Sequence, residues 1–172
     1  MRFDTVLNNL VGSAVTSGKV TLHSDGTPWR PVVHVQDIAR AFLHVVQAPI
    51  EVIHNQAFNN GEARMNHQII ELAEVTVKTV PGSRLECLAS PEADQRTYQT
   101  DFGKFARAFP AFRFNWTIED GARELHDAFR AINLTRDDFL DRRFTRLKWL
   151  RYLLDSGRLD QSLRWTTVGA AR

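Results

Sequence analysis

Apolar and polar positions along this chain follow two periods. Over residues 4–17, Val6, Leu7, Leu10, Val11 and Ala14 recur at the spacing of one helix face. Gly18 suits the left-handed position just past its end. The start of this helix is open by a full turn: Asp4 caps it, or one of Asn8 and Asn9 does. Lys19–His23 alternates as a strand, Ser24–Pro28 has the composition of a turn, and Pro31–Val35 reads as a short apolar strand. A helix is predicted from Asp37 to Gln47, with Ile38, Ala41, Phe42 and Val45 inward and Pro49 ending it. Gln56–Asn59 is a brief strand candidate. Asn66 then caps a helix over 66–79 whose inward residues are Ile69, Leu72, Ala73, Thr76 and Val80, and Pro81-Gly82 stops it.

The second half continues the alternation. Arg84–Ala89 reads as a strand and Ser90–Gln95 as a polar loop. Asp101 caps a short helix to about Phe109. Thr117-Ile118-Glu119-Asp120 has the form of a capping box, and Ile118, Ala122, Leu125, Phe129 and Ile132 face inward behind it. From Thr135 the chain is helical again. Leu147, Leu150, Leu153 and Leu154 form a stripe among Arg146, Lys148 and Arg151, and Gly157 ends that helix. Strands alternating with helices give an α/β or α+β class. Only about four short strands are present, fewer than the helices, so sheet edges are expected to lie unpaired.

Composition narrows the class. With 172 residues, 43% hydrophobic and 24% charged, the chain is a folded domain or part of one. Apolar runs reach three or four residues, too few to span a bilayer, and no secretory signal opens the sequence. The single cysteine, Cys87, excludes a disulfide framework and a cysteine-rich zinc site, so a reducing cytosol is the expected compartment. The net charge is +2, but residues 142–172 hold eight Lys/Arg against two Asp, so the tail is strongly basic and the remainder acidic.

Several chemistries are excluded by spacing. No two of the nine glycines are closer than six residues, which rules out a glycine-rich dinucleotide loop and a P-loop in this chain. No two of the six histidines stand three or four apart, so no helical metal pair exists. There is no G-x-S-x-G, and Cys87 sits in a strand pattern as a small packing residue. The basic helix with Phe144, Trp149 and Tyr152 either meets phosphate or packs on the rest of the protein. Two anion-binding candidates remain. Arg30 follows a Gly/Pro turn at the mouth of a strand, where a guanidinium can clamp a diphosphate or simply face solvent. Asn8-Asn9-Leu10 offers free backbone N–H groups if the helix starts there, and none if it starts at Asp4.

These pieces resemble the extended short-chain dehydrogenase/reductases, the NAD(P)-dependent nucleotide-sugar epimerases and dehydratases. The run Arg30-Pro-Val-Val-His34-Val-Gln-Asp37-Ile-Ala39 is the most specific part. Ala57-Phe58-Asn59-Asn60-Gly61 is similar to that family's "FN-V/I-G" strand, and Asp94 through Lys104, with Asp101, to its "D…Y…D-x-S/G-K" segment. Phe144–Leu147 through Trp165 resembles C-termini of the family.

The resemblance covers the family's C-terminal half only. The glycine-rich loop is absent, and so is Tyr-x-x-x-Lys, since Tyr98 is followed four residues on by Phe102 and Tyr152 by Ser156. The chain therefore looks truncated, with Met1 read as an internal methionine.

The implied fold is α/β: the C-terminal part of a Rossmann-type enzyme, late sheet strands plus a small substrate-binding subdomain, helix-rich. Residues 1–134 would form that region and 135–172 a basic helical tail. The resemblance implies that Asn8, Asn9 and the N–H of Leu10 hold the diphosphate of a nucleotide-diphosphate sugar and that Arg30 clamps it. Thr21 and His23 would meet the base, and Asp94 would lie near the ribose. Pro91 stands where some members place an arginine, and Asn60 puts a polar residue on a strand expected to be buried. NAD or NADP would belong to the full-length parent, with none expected for this chain alone, which would then be inactive. No membrane partner is implied, nucleic acid is not expected, and a homodimer is left open. The alternative is a non-catalytic interaction module that takes nucleic acid or an acidic partner on the basic tail; a third reading is a truncated frame without function.

Overall fold

A computed structural model describes residues 2–88 and 96–166. Helix α1 (Val6–Ser17) starts from Thr5, so neither Asp4 nor the two asparagines cap it. Gly18 closes it in the left-handed region at φ 67°, with its N–H donated to the Ala14 carbonyl. Strand β1 (Lys19–Leu22) buries Val20 and Leu22 and pairs in parallel with β4 (Arg84–Cys87), from Lys19 opposite Arg84 to Leu22 opposite Cys87.

The second strand differs from expectation. Strand β2 is Trp29–Pro31, antiparallel to β3 (Asn66–Gln68), with Arg30 opposite His67. The apolar residues Val32 and Val33 lie beyond the ladder, and His34 already caps α2 (Val35–Val46). Asn66 is a strand residue rather than a cap. Gln68 takes over as cap of α4 (Ile69–Thr79), its backbone N–H donating to Glu71 at 3.0 Å. Gln56–Asn59 joins no ladder; instead Asn59 Nδ2 donates to the Asp101 carbonyl at 3.0 Å. A short helix, α3 (Ile50–Ile53), precedes it. The expected loop Ser90–Gln95 lies outside the described residues.

Helix α5 (Gly103–Ala108) follows Asp101, whose carboxylate accepts the Gly103 N–H at 2.8 Å. The capping box of α6 (Ile118–Ala131) forms as the sequence predicts, Thr117 with Asp120, and α7 (Arg136–Leu140) starts with a second one, Thr135 with Asp138. Helix α8 (Arg146–Asp155) ends before Gly157 at φ 66°.

Two apolar cores result. In the larger, α1, α4 and α6 bury Leu7, Leu10, Val11, Leu72, Ala122 and Phe129 around the β1–β4 pair. In the smaller, Ala41 of α2 meets Phe105, Phe109 and Phe114. The tail joins the larger one: Phe139 and Phe144 stand edge-on to Phe3 at 4.9 and 5.3 Å. Gly12 makes room for this, since a Cβ there would sit 2.7 Å from the Phe139 ring. Phe144, named above for stacking, is therefore a packing residue.

Helix α2 departs from its expected burial. Ala41 is buried, but Phe42 is 61% exposed, and Val35, Leu43, Val46 and Ile50 are exposed with it. Ile132 and Leu147, also expected inward, are exposed.

Candidate functional site

A cleft of about 1330 Å³ opens between the start of α1, the end of β1, strands β2 and β3, and helices α4 and α6. Asn8, Asn9, Leu10, Thr21, His23 and Arg30 all line it. Arg30 and Asn9, the two groups whose convergence the sequence reading requires, thus share one cavity. Asp94 lies outside the described residues.

At the α1 end the structure chooses between the two helix starts. The Asn9 N–H donates to the Thr5 carbonyl at 2.9 Å, and Leu10 is 4% exposed. The backbone amides from Asn9 onward therefore belong to the helix, and the amides of its first turn that precede this bond include those of Val6 and Leu7. Thr5 gives no side-chain cap and no acid stands in the first turn, so the positive end of the dipole is uncompensated. The asparagine side chains hold the preceding segment: Asn8 Nδ2 donates to the Arg2 carbonyl at 2.8 Å and Asn9 Nδ2 to the Phe3 carbonyl at 2.9 Å. Asp4 nearby is bound by Arg2 at 2.8 Å, which holds its carboxyl below the ordinary range.

Arg30 leaves β2 toward the same cavity. Its Nη1 donates to the Trp29 carbonyl at 2.8 Å and to the Arg96 carbonyl, and its guanidinium lies 5.2 Å from the Tyr98 ring centre. Arg96, Tyr98 and the cross-strand neighbour His67 line the cleft as well. Burial pushes the His67 imidazole below its ordinary value, against the pull of Glu71 at 3.6 Å. Thr21 lies on the less buried face of β1, and His23 is exposed just beyond its end.

From Arg30 the R-x-x-x-H-V-x-D run continues along the cleft as far as Val35. His34 Nδ1 accepts the Gln36 N–H at 3.2 Å, so its proton is on Nε2, 2.7 Å from Glu124. The ring lies flat on Trp116, centroids 3.7 Å apart. Asp37 is fully buried and accepts the N–H groups of Asn115 and Trp116 at 3.0 and 2.9 Å, as well as Arg40 at 2.8 Å. Lys104, in the other quoted segment, lies 5.0 Å from the Phe58 ring and is structural.

Sequence reasoning missed Arg96, Tyr98, His67, Trp116 and Glu124. None has a local signal; each reaches the cleft through tertiary packing. Chemically the site offers guanidinium groups and helix amides for an anion, aromatic rings, and carboxylates from α4 and α6 that accept hydroxyl protons. Among the described residues no cluster of His, Cys, Asp or Glu could hold a metal ion, and no helix is long and apolar enough to cross a membrane. The sequence holds no glycine-rich turn of the kind that admits a dinucleotide's pyrophosphate.

No curated protein matches the sequence. Among solved structures, the chain is similar to TunA, an NAD-dependent NDP-hexosamine 5,6-dehydratase involved in tunicamycin biosynthesis (15% identity, TM-score 0.63, covering 76% of this chain and 41% of that one). It is similar to the dTDP-glucose 4,6-dehydratase of Bacillus anthracis str. Ames, solved with NAD (19%, TM-score 0.56, 76% and 40%). It is similar also to a monomeric L-threonine 3-dehydrogenase from a metagenome (19%, TM-score 0.60, 74% and 42%). At these identities the likeness is one of fold, and the chain spans about two-fifths of the length of each structure. Residues 3–61, which carry α1, β1, β2, α2 and all six described site candidates, match the NAD dependent epimerase/dehydratase family. The chain is thus similar to the NAD-dependent epimerase/dehydratases in sequence over residues 3–61 and, over three-quarters of its length, in the helix-rich α/β architecture of part of a Rossmann-type fold.

Proposed function

We propose that this chain supplies the nucleotide-sugar-binding surface of an NAD(P)-dependent epimerase or dehydratase and carries out no hydride transfer by itself. The observation that supports this best is the convergence of Arg30 and the uncapped start of α1 on one cleft. Two independent positive sources, a guanidinium and a helix N-terminus, suit the two phosphates of a nucleoside diphosphate. The diphosphate lies against Arg30 and the amides of Val6 and Leu7, with the Asn9 side-chain amide beside them. The base runs along Thr21 and His23, Asp94 serves the ribose, and the sugar hydroxyls meet Glu119 and Glu124 of α6.

Two of the solved enzymes named above are dehydratases of nucleotide sugars, while the threonine dehydrogenase is not. The cleft chemistry therefore carries the substrate assignment. NAD or NADP belongs to a glycine-rich half that this sequence does not contain.

Titration calorimetry with the diphosphates of uridine, cytidine, guanosine and thymidine tests the reading. At least one binds, and Arg30→Ala weakens it about tenfold or more. Absence of binding by all four at millimolar concentration, affinity unchanged in Arg30→Ala, or turnover of a nucleotide sugar by the purified chain with NAD would each overturn it.

A further inference from the structure

We infer that the basic tail holds a second ligand site, separate from the large cleft, for a small aromatic phosphate of the nucleoside monophosphate class. A cavity of about 380 Å³ is bounded by Asp141, Arg142 and Arg143 and by Trp149 and Tyr152 of α8. The Arg142 guanidinium lies 3.7 Å from the centre of the Tyr152 ring and makes no hydrogen bond or ion pair with any described residue. The ring therefore holds the guanidinium while its N–H fork has no acceptor among the described residues, the arrangement that receives an oxyanion in bidentate fashion.

The neighbouring groups favour an anion. Asp141 is the acidic member of the wall, and Arg143 neutralises it through Nε at 3.0 Å and Nη2 at 2.9 Å. Helix α8 adds Arg146, Lys148 and Arg151, with its one acid, Asp155, at the far end. This excess of positive charge favours a phosphate dianion over a carboxylate. Trp149 is tilted 35° to Tyr152 at 5.3 Å, so the two rings do not stack flat, and the indole offers a wall for a planar ring. The volume lies near the lower end of ligand pockets, enough for one nucleotide and too small for a nucleotide sugar. Phe144 takes no part, being packed on Phe3. The site stands whether or not the large cleft takes a nucleotide sugar.

Amide and indole NMR of the full chain, titrated with adenosine 5′-monophosphate, tests this. The signals of residues 141–143 and the Trp149 indole shift saturably. Arg142→Ala and Trp149→Ala each weaken that binding about tenfold or more, whereas Trp149→Phe keeps it within about threefold. Inorganic phosphate and adenosine each bind about tenfold more weakly than the nucleotide. Arg142 is exposed, so Arg142→Ala keeps the wild-type amide pattern elsewhere. The proposal is overturned if these signals do not move at about 10 mM nucleotide, if shifts are confined to the large cleft, or if Arg142→Ala has no effect. It is likewise overturned if inorganic phosphate binds as well as the nucleotide, or if a single-stranded octanucleotide binds more than about tenfold tighter, which would make the site one for nucleic acid.

Discussion

The imidazole of His34 lies on the indole of Trp116 with ring planes only 7° apart. Neither residue holds that geometry alone. His34 is fixed as the cap of α2, and Trp116 is fixed because the buried Asp37, one turn further along α2, accepts its backbone N–H at 2.9 Å. One helix start therefore positions both rings and one wall of the cleft.

Asp37→Ala leaves the part-buried N–H groups of Asn115 and Trp116 without this acceptor and empties the fully buried carboxylate site. The expected cost is about 3 kcal/mol, measured by urea unfolding. Arg40→Ala, which removes a partner whose side chain is 42% exposed, should cost under about 1 kcal/mol. Equal losses from the two substitutions would mean that the ion pair, not the backbone bonds, anchors the segment.

The buried Oδ1 of Asn60 has no hydrogen-bond partner among the described residues. This is the polar residue that stands where the resembling family has Val or Ile. Asn60→Val should stabilise the chain by about 1–2 kcal/mol, and a raised denaturant midpoint with unchanged slope would show it. A lower midpoint would show that the amide nitrogen contributes more than the oxygen costs.

Burial holds His67 below its ordinary value of 6.5. The unfolded chain therefore takes up this proton before the folded one. Stability from this group is complete above about pH 6.5 and falls as pH drops through and below it. Asp4, Asp120, Asp138 and Asp141 lie below their ordinary 3.8, each led by a side-chain hydrogen bond, so their contributions persist until pH falls through about 4. Denaturation midpoints between about pH 7.5 and 5.5 should thus decline in the wild type and decline less in His67→Gln. Parallel curves would rule His67 out as the cause.

Phe42, Leu43 and Val46 present a contiguous apolar face to solvent. Such a face on an isolated chain drives association. Sedimentation of the purified chain should show concentration-dependent self-association, and Phe42→Glu with Val46→Glu should abolish it without loss of helix signal. A monomeric wild type would sink this expectation.

Features encoded by neighbours in sequence were legible. The Gly18 stop, the Thr117–Asp120 box and the helix start at Thr135 depend on residues within one turn of each other, and each formed as read. Features set by distant pairing were not. Pro31–Val35 looked like a strand because it is apolar, yet the ladder is fixed by Asn66–Gln68, and it engages Trp29–Pro31 instead. Asn66 has the composition of a cap, but its backbone is claimed by that ladder and its side chain by Thr100, whose N–H it accepts at 2.9 Å. Gln56–Asn59 has a strand pattern, and among the described residues no strand stands beside it. In the cleft, Arg30 and the asparagines were legible through the motif that contains them. Trp116 and Arg96 were not, because nothing adjacent to either in sequence points at a ligand.

The pairing of β1 with β4 also governs the order in which this molecule can be assembled. Lys19 meets Arg84, more than sixty residues later. Closing a loop of that length costs chain entropy before any ladder bond repays it. Thr21 and His23 are thus seated in the cleft only after α2, β3 and α4 have been synthesised and gathered in. On an emerging chain, ligand affinity should appear late and abruptly, once Cys87 has cleared the ribosome.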